Sequence, residues 1–204
     1  MNQLKNFDIK VKRGHFTTYN YKPSFFFCEV KQVHGSTIVE ATPKNFKELY
    51  QEESDGIILL YESWSNKMPP LAIKTADCLP ILALGTKGIT LIHAGWRGLH
   101  QKILQSNAIQ KIDPEHFYFG PHITPKYYEV KKDFLKNFLN SKNILKNNSK
   151  YFFNLSGEAS DQISQAFPRA TIIKSKLCTY QNNLLHSYRL NQTNLRNFNL
   201  FIPE

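Results

Sequence analysis

The chain has 204 residues, 41% of them hydrophobic, and a formal net charge of +10. That length sustains one sizeable core, and the apolar and aromatic content excludes a disordered chain. Three cysteines are too few for a disulfide framework, and their odd number leaves a free thiol, which favours a reducing compartment.

The first residues, Met1 to Asn6, hold no apolar run of signal-peptide length. No segment approaches the roughly 20 consecutive apolar residues of a bilayer span. The chain therefore reads as soluble and cytoplasmic, with no membrane partner. Its lysines scatter, and no zinc-finger, RNA-recognition or basic-zipper pattern occurs. No specific nucleic-acid partner is expected; the positive charge reads first as solvated surface lysines and second as attraction of anions such as phosphate, nucleotides or nucleic acid.

Taken in order, residues 24–30 (SFFFCEV) predict a buried strand leading to Gln32-Val33-His34-Gly35, and strand resumes at Thr37 to Val39. Asp55-Gly56 reads as a turn before the apolar run Ile57 to Tyr61. Leu71 to Lys74 and Leu79 to Leu84 are strand-like on either side of Thr75-Ala76-Asp77-Cys78. Gly88 to Ile92 has the composition of a central strand. The period then changes: Leu99, Ile103, Leu104, Ala108, Ile109 and Ile112 predict a helix from Arg97 to about Lys111, stopped by Asp113-Pro114. Residues 116–119 predict a strand, Gly120-Pro121-His122 a loop, Tyr127 to Val130 a short strand, and Lys132 to Leu139 an amphipathic helix. Ser156 is placed to cap a helix ending near Phe167-Pro168, and Thr171 to Cys178 predicts a further strand. Several strands follow one another directly, so the pattern is α+β in one domain, 1–204, with no strict βαβ repeat.

Chemistry concentrates at strand-to-loop boundaries, where sheet proteins gather their sites. Taken singly, Cys78, His93 and His34 read as ordinary core residues. Together, two imidazoles and a thiolate form a three-ligand zinc set that leaves a fourth position open. A metal there deprotonates the thiol and lowers the pKa of bound water. Asp77, beside Cys78, reads equally as a turn residue or as the carboxylate that moves a proton or orients a ligand imidazole. Arg97, at a helix start, reads as an anion ligand or as a partner of Trp96. A metal-free dyad of Cys78 and His93 is a separate possibility, as is a basic module that binds nucleic acid nonspecifically.

The motifs QVHG (32–35), SDG (54–56), TADCLP (75–80), HAGWRGL (93–99), GP (120–121), YEV (128–130), CTY (178–180) and SYR (187–189) occur in that order. Over residues 12–190 the chain resembles the multicopper polyphenol oxidase (laccase-like) family, whose members are regarded as purine nucleoside enzymes. The resemblance implies an α/β/β/α sandwich of two mixed sheets flanked by helices, with zinc, in preference to copper, on His34, Cys78 and His93. It implies phosphorolysis of adenosine, inosine and methylthioadenosine to free base and ribose 1-phosphate, with adenosine deamination alongside. Asp77, Cys78 and His93 become the catalytic residues, Arg97 and Arg189 the phosphate ligands, and Tyr188 or Trp96 the base-stacking side chain. The partners are then a small nucleoside and phosphate, on a monomer or homodimer. Hydrolytic editing of UDP-muramyl-amino acid precursors is the alternative that the family also carries. This chain departs from the family in a short N-terminal region, in His122 where Cys is usual, and in Leu195-Arg196 where Gly-Arg is usual.

Overall fold

The computed structural model describes residues 5–65 and 67–204. Residues 1–4, part of the segment read above as lacking a signal-like run, lie outside the described residues. The centre is set by strands that are apolar on both faces. In β6 (Leu79–Gly85) Leu79, Ile81 and Ala83 face one way, and Leu82 and Leu84 the other. The next strand, β7 (Gly88–Ala94), repeats this with Ile92 and Ala94 against Ile89 and Leu91. Such strands must be covered on both sides.

They form the middle of a six-stranded mixed sheet in the order β12 (Thr171–Lys174), β8 (Pro114–Phe119), β6, β7, β4 (Gly56–Leu60), β3 (Ile38–Glu40). Its two outer pairs are parallel and its inner pairs antiparallel. One face is covered by α1 (Trp96–His100), α2 (Asn107–Lys111) and α3 (Leu155–Ala166), through Leu99, Ile109 and Ile163. The other packs on a four-stranded sheet in the order β1 (Phe7–Val11), β2 (Gly14–Tyr19), β13 (Asn197–Pro203), β5 (Leu71–Thr75), through Phe16, Ile73 and Phe201. The α+β class and the two-sheet sandwich are as the sequence leads one to expect. In detail, the four-stranded sheet is antiparallel throughout, and its outer face carries Tyr19, Phe27, Ala72 and Leu200. A third, small sheet joins β9 (Glu129–Val130), β11 (Lys150–Phe153) and β10 (Ile144–Asn147).

Some predicted elements are corrected. Residues 24–30 form no strand: Cys28 alone bridges to Leu71, at the sheet edge, and Phe25 and Phe26 are 40% and 52% exposed. The helix expected over 97–111 divides into α1, a 3-10 turn at Ile103–Gln105, and α2. Lys102 turns the chain at φ +61°, and the Ser106 side chain caps α2 by accepting the Ala108 N–H at 3.1 Å. The periodicity was real, because Leu99, Ile103, Leu104, Ile109 and Ile112 are all fully buried, but it is shared between short pieces. Of 127–130 only Glu129–Val130 is strand, 132–138 is a 3-10 helix, and 171–178 is strand only to Lys174. Asn154, not Ser156, caps α3, accepting the Gly157 N–H at 3.0 Å.

Candidate metal centre

The two large sheets meet at Thr75-Ala76-Asp77-Cys78, the segment that carries the chain from β5 into β6. Cys78 is thereby held at the seam. His93 sits one residue from the end of β7, opposite Pro80 of β6. His34 lies in the loop before β3. The ligand atoms of His34, Cys78 and His93 all fall within 4.8 Å of one another, and the two imidazole rings stand nearly perpendicular, centroids 4.8 Å apart.

A carboxylate that the sequence reading treated as part of a turn organises this cluster. Asp55 is completely buried just before β4. Its Oδ1 accepts from His93 Nδ1 at 2.7 Å and from the His34 amide at 3.0 Å. Its Oδ2 accepts from the Gly35 amide at 2.6 Å and the Val33 amide at 3.3 Å. A carboxylate only accepts, so Nδ1 of His93 carries a proton, and Nε2 is the nitrogen left to face a metal. The same bonds hold His34 at φ +61°, a conformation uncommon for a non-glycine residue. The carboxylate bonded to an imidazole of the cluster is thus Asp55 and not Asp77.

Electrostatics in the cluster favour a thiolate. Burial opposes it, but the charge of His93 and hydrogen bonds from His34 and His93 bring the Cys78 thiol down to about 6. Burial likewise opposes protonation of His93, but the Cys78 thiolate and Asp55 raise it to about 9. Burial disfavours the Asp55 carboxylate too, and its bonds to His93, Gly35 and Val33 overcome this to hold it below the usual range. The thiolate and imidazolium would become two donors if a divalent ion displaced the imidazolium proton.

Two glycines of the HAGWRGL run make room. A Cβ on Gly95 would lie 3.3 Å from Cys78 Sγ, 3.5 Å from His34 Cδ2 and 3.8 Å from His93 Cε1, against all three donor residues. A Cβ on Gly98 would lie 2.7 Å from the Gly35 carbonyl oxygen, so glycine there lets α1 pack on the His34 loop. Donor chemistry, the oriented imidazole and this space all fit a metal held by two nitrogens and one sulfur.

The triangle opens into a cavity of about 710 Å³, lined also by Asp77, Arg97, Tyr128, Tyr188, Arg189 and Arg196. The Asp77 carboxylate accepts from the Thr179 hydroxyl at 2.7 Å and from the Arg189 amide at 2.8 Å. It thus ties TADC to the CTY and SYR motifs, the latter running into the short helix α4 (Tyr188–Asn191). Arg97 stacks over Trp96 at 4.7 Å and Arg189 over Tyr128 at 5.2 Å, one Arg189 N–H reaching the Glu129 carbonyl at 2.8 Å. Among the described residues none of the three arginines has a carboxylate partner. Tyr188 is 53% exposed at the mouth. Asp55, Tyr128 and Arg196 were missed as site residues; Tyr128 and Arg196 stood in the YEV motif and in the Leu-Arg departure. His122 is apart from the cluster. It is buried, donates Nδ1–H to the Gly120 carbonyl at 2.9 Å, and is kept neutral by burial, down to about 4.

A family described as multi-copper polyphenol oxidoreductase laccase matches residues 8–200. The chain belongs to that family. Among members, a protein of Aquifex aeolicus named purine nucleoside phosphorylase is 30% identical over 169 residues, 81% of this chain and 77% of the relative. One from Rickettsia conorii, also named purine nucleoside phosphorylase, is 33% identical over 159 residues, but the match spans only 60% of that protein. The purine nucleoside phosphorylase YfiH of Escherichia coli is 28% identical over 176 residues, 80% of this chain and 68% of its own. The family fold is recovered in the crystal structure of YlmD from Geobacillus stearothermophilus, with a TM-score of 0.72 at 24% identity over 87% of this chain and 73% of that one. The Bacillus licheniformis YfiH structure gives 0.74 at 20% over 87% and 74%. The laccase-like family name notwithstanding, His34, Cys78 and His93 are the one compact group of three potential metal ligands among the described residues.

Proposed function

We propose that this protein is a zinc-dependent purine nucleoside phosphorylase that also deaminates adenosine. The observation that carries this reading is the His34–Cys78–His93 triangle opening into a cavity whose wall holds three arginines without carboxylate partners. The names of the relatives agree with it. One thiolate and two imidazoles suit zinc, whereas multicopper oxidation needs several copper sites with many histidines. When bound, the ion supplies a Lewis acid with one open coordination position.

The chain's own residues do the rest. Arg97 and Arg189 hold phosphate through charge-assisted, bidentate hydrogen bonds. A phosphate oxygen attacks C1′ of the ribose, the C1′–N9 bond breaks, and the purine leaves with a proton, giving ribose 1-phosphate and free base. For deamination, water adds at C6, ammonia leaves, and Asp77 moves the proton. Tyr188 and Trp96 offer aromatic faces to the base. Adenosine, inosine and methylthioadenosine are the substrates we assign, the last giving adenine and 5-methylthioribose 1-phosphate. Cys28, Cys78 and Cys178 are free thiols, which fits the cytoplasm, and the active unit is a monomer or homodimer.

Zinc-loaded protein incubated with inosine and phosphate should release ribose 1-phosphate, and no product would overturn the proposal. The low pKa of Cys78 supports one other reading, a Cys78–His93 dyad acting without metal. That reading requires activity to survive chelation, whereas ours requires it to vanish and to return with zinc.

A further inference from the structure

Arg189 faces more than the central cavity. It also lines an adjoining open groove of about 880 Å³, walled by the small sheet of β9, β10 and β11. The charged residues on that groove are Lys131, Lys132, Lys146, Lys150 and Arg189, with a single carboxylate, Glu129. Glu129 is already bound to Lys150 at 2.8 Å. Lys131, Lys132 and Lys146 therefore have no carboxylate within ion-pair reach among the described residues. Lysines without a carboxylate partner occur elsewhere too, Lys44, Lys87 and Lys176 among them, beside pairs such as Lys5 with Asp8 and Lys142 with Asp161; what sets the groove apart is that three unpaired lysines and Arg189 line one concavity.

Gathering unpaired cations in one groove raises their mutual repulsion, which a bound polyanion relieves. Lys146 and Lys150 come from the β10–β11 hairpin, and Lys131 and Lys132 follow β9, the strand paired with β11, so the four lysines gather at one end of the small sheet. Arg189 joins this groove to the cavity, and its fork of donors can serve an anion on either side.

We propose that this groove receives the phosphate tail of a nucleoside 5′-phosphate whose base and ribose occupy the central cavity. This rests on the nucleoside reading given above and extends it from nucleosides to nucleotides. The aromatic and metal-lined cavity selects the nucleoside portion, and the lysine groove adds affinity for a diphosphate without touching the reacting bond.

Calorimetric binding of adenosine, ADP and pyrophosphate to the zinc-loaded full chain tests it. ADP should bind about tenfold or more tighter than adenosine. That preference should fall below about twofold in a Lys131→Glu/Lys132→Glu/Lys146→Glu variant, and it should shrink steeply with added salt. Should the reversed charges prevent folding, the corresponding triple glutamine variant carries the same expectation. Adenosine binding with no advantage for ADP, or an advantage that survives loss of the lysines, overturns the groove and leaves the nucleoside reading intact. Pyrophosphate binding as tightly as ADP also overturns the proposal, because the groove would then serve a free polyphosphate. If neither adenosine nor ADP binds, the nucleoside reading fails and takes this proposal with it.

Discussion

The deep and outer halves of the cavity are built in opposite ways. Around the donor triangle the backbone and His93 are held firmly, although His34 itself is exposed: Asp55 takes four hydrogen bonds, His93 is 2% exposed within a paired strand, Gly95 leaves room beside the Cys78 sulfur, and Gly98 brings backbone against backbone. At the mouth, Arg97, Tyr188 and Arg189 are exposed, and the guanidiniums rest on aromatic faces and a carbonyl, without carboxylates. Under the function proposed above, the contrast separates a preorganised reacting centre from an adaptable region that attracts and sorts substrates. The first depends on geometry and the second on charge.

Substitutions should divide along the same line. Removing a donor is the severest. Cys78→Ala should lose the metal and lower phosphorolysis about a thousandfold or more; metal analysis beside ribose 1-phosphate release checks both, and retained zinc with retained activity would refute the donor set. Asp55→Asn keeps the shape but weakens the orientation of His93 and the amide cradle. Zinc affinity should fall by about 10- to 100-fold in a competitive chelator titration, and an unchanged affinity would deny Asp55 its organising role. Arg97→Ala should leave the metal in place and raise the KM for phosphate about tenfold, with a smaller effect on the nucleoside KM. A loss of zinc in that variant would erase the distinction between the two halves. Smallest of all, Phe26→Ser, at the exposed part of a segment whose Phe27, Cys28 and Val30 are buried, should change unfolding free energy by less than about 0.5 kcal/mol; a large loss by denaturant titration would show that the Phe26 ring is core as well.

Legibility in the sequence followed the same physics. Strands buried on both faces, such as Leu79–Gly85 and Gly88–Ala94, announce themselves as unbroken apolar runs. The donors stood in dense motifs, and His34, Cys78 and His93 do converge. What stayed hidden depends on partners distant in sequence. The strand Asn197–Pro203 pairs with β2 and β5, some 180 and 126 residues away, and local pattern carries little trace of such pairing. Asp55 followed by Gly56 has the composition of a turn, and only the fold brings His93, 38 residues on, against it. The run of phenylalanines at 25–27 misled because hydrophobicity was taken for strand, when only Phe27 is turned inward.

The placement of Cys78 at the crossover between layers has a mechanical consequence. The His93 imidazole belongs to the larger sheet, the His34 loop is bonded both to Asp55 beside that sheet and, through Gln32, to Lys74 of the smaller one, and the sulfur sits at the junction between them. Any slippage of one layer over the other, for instance after trimming Phe201 between them, should register as a displaced thiolate before any strand unfolds. Loss of zinc would then serve as an early gauge of interlayer alignment throughout the molecule.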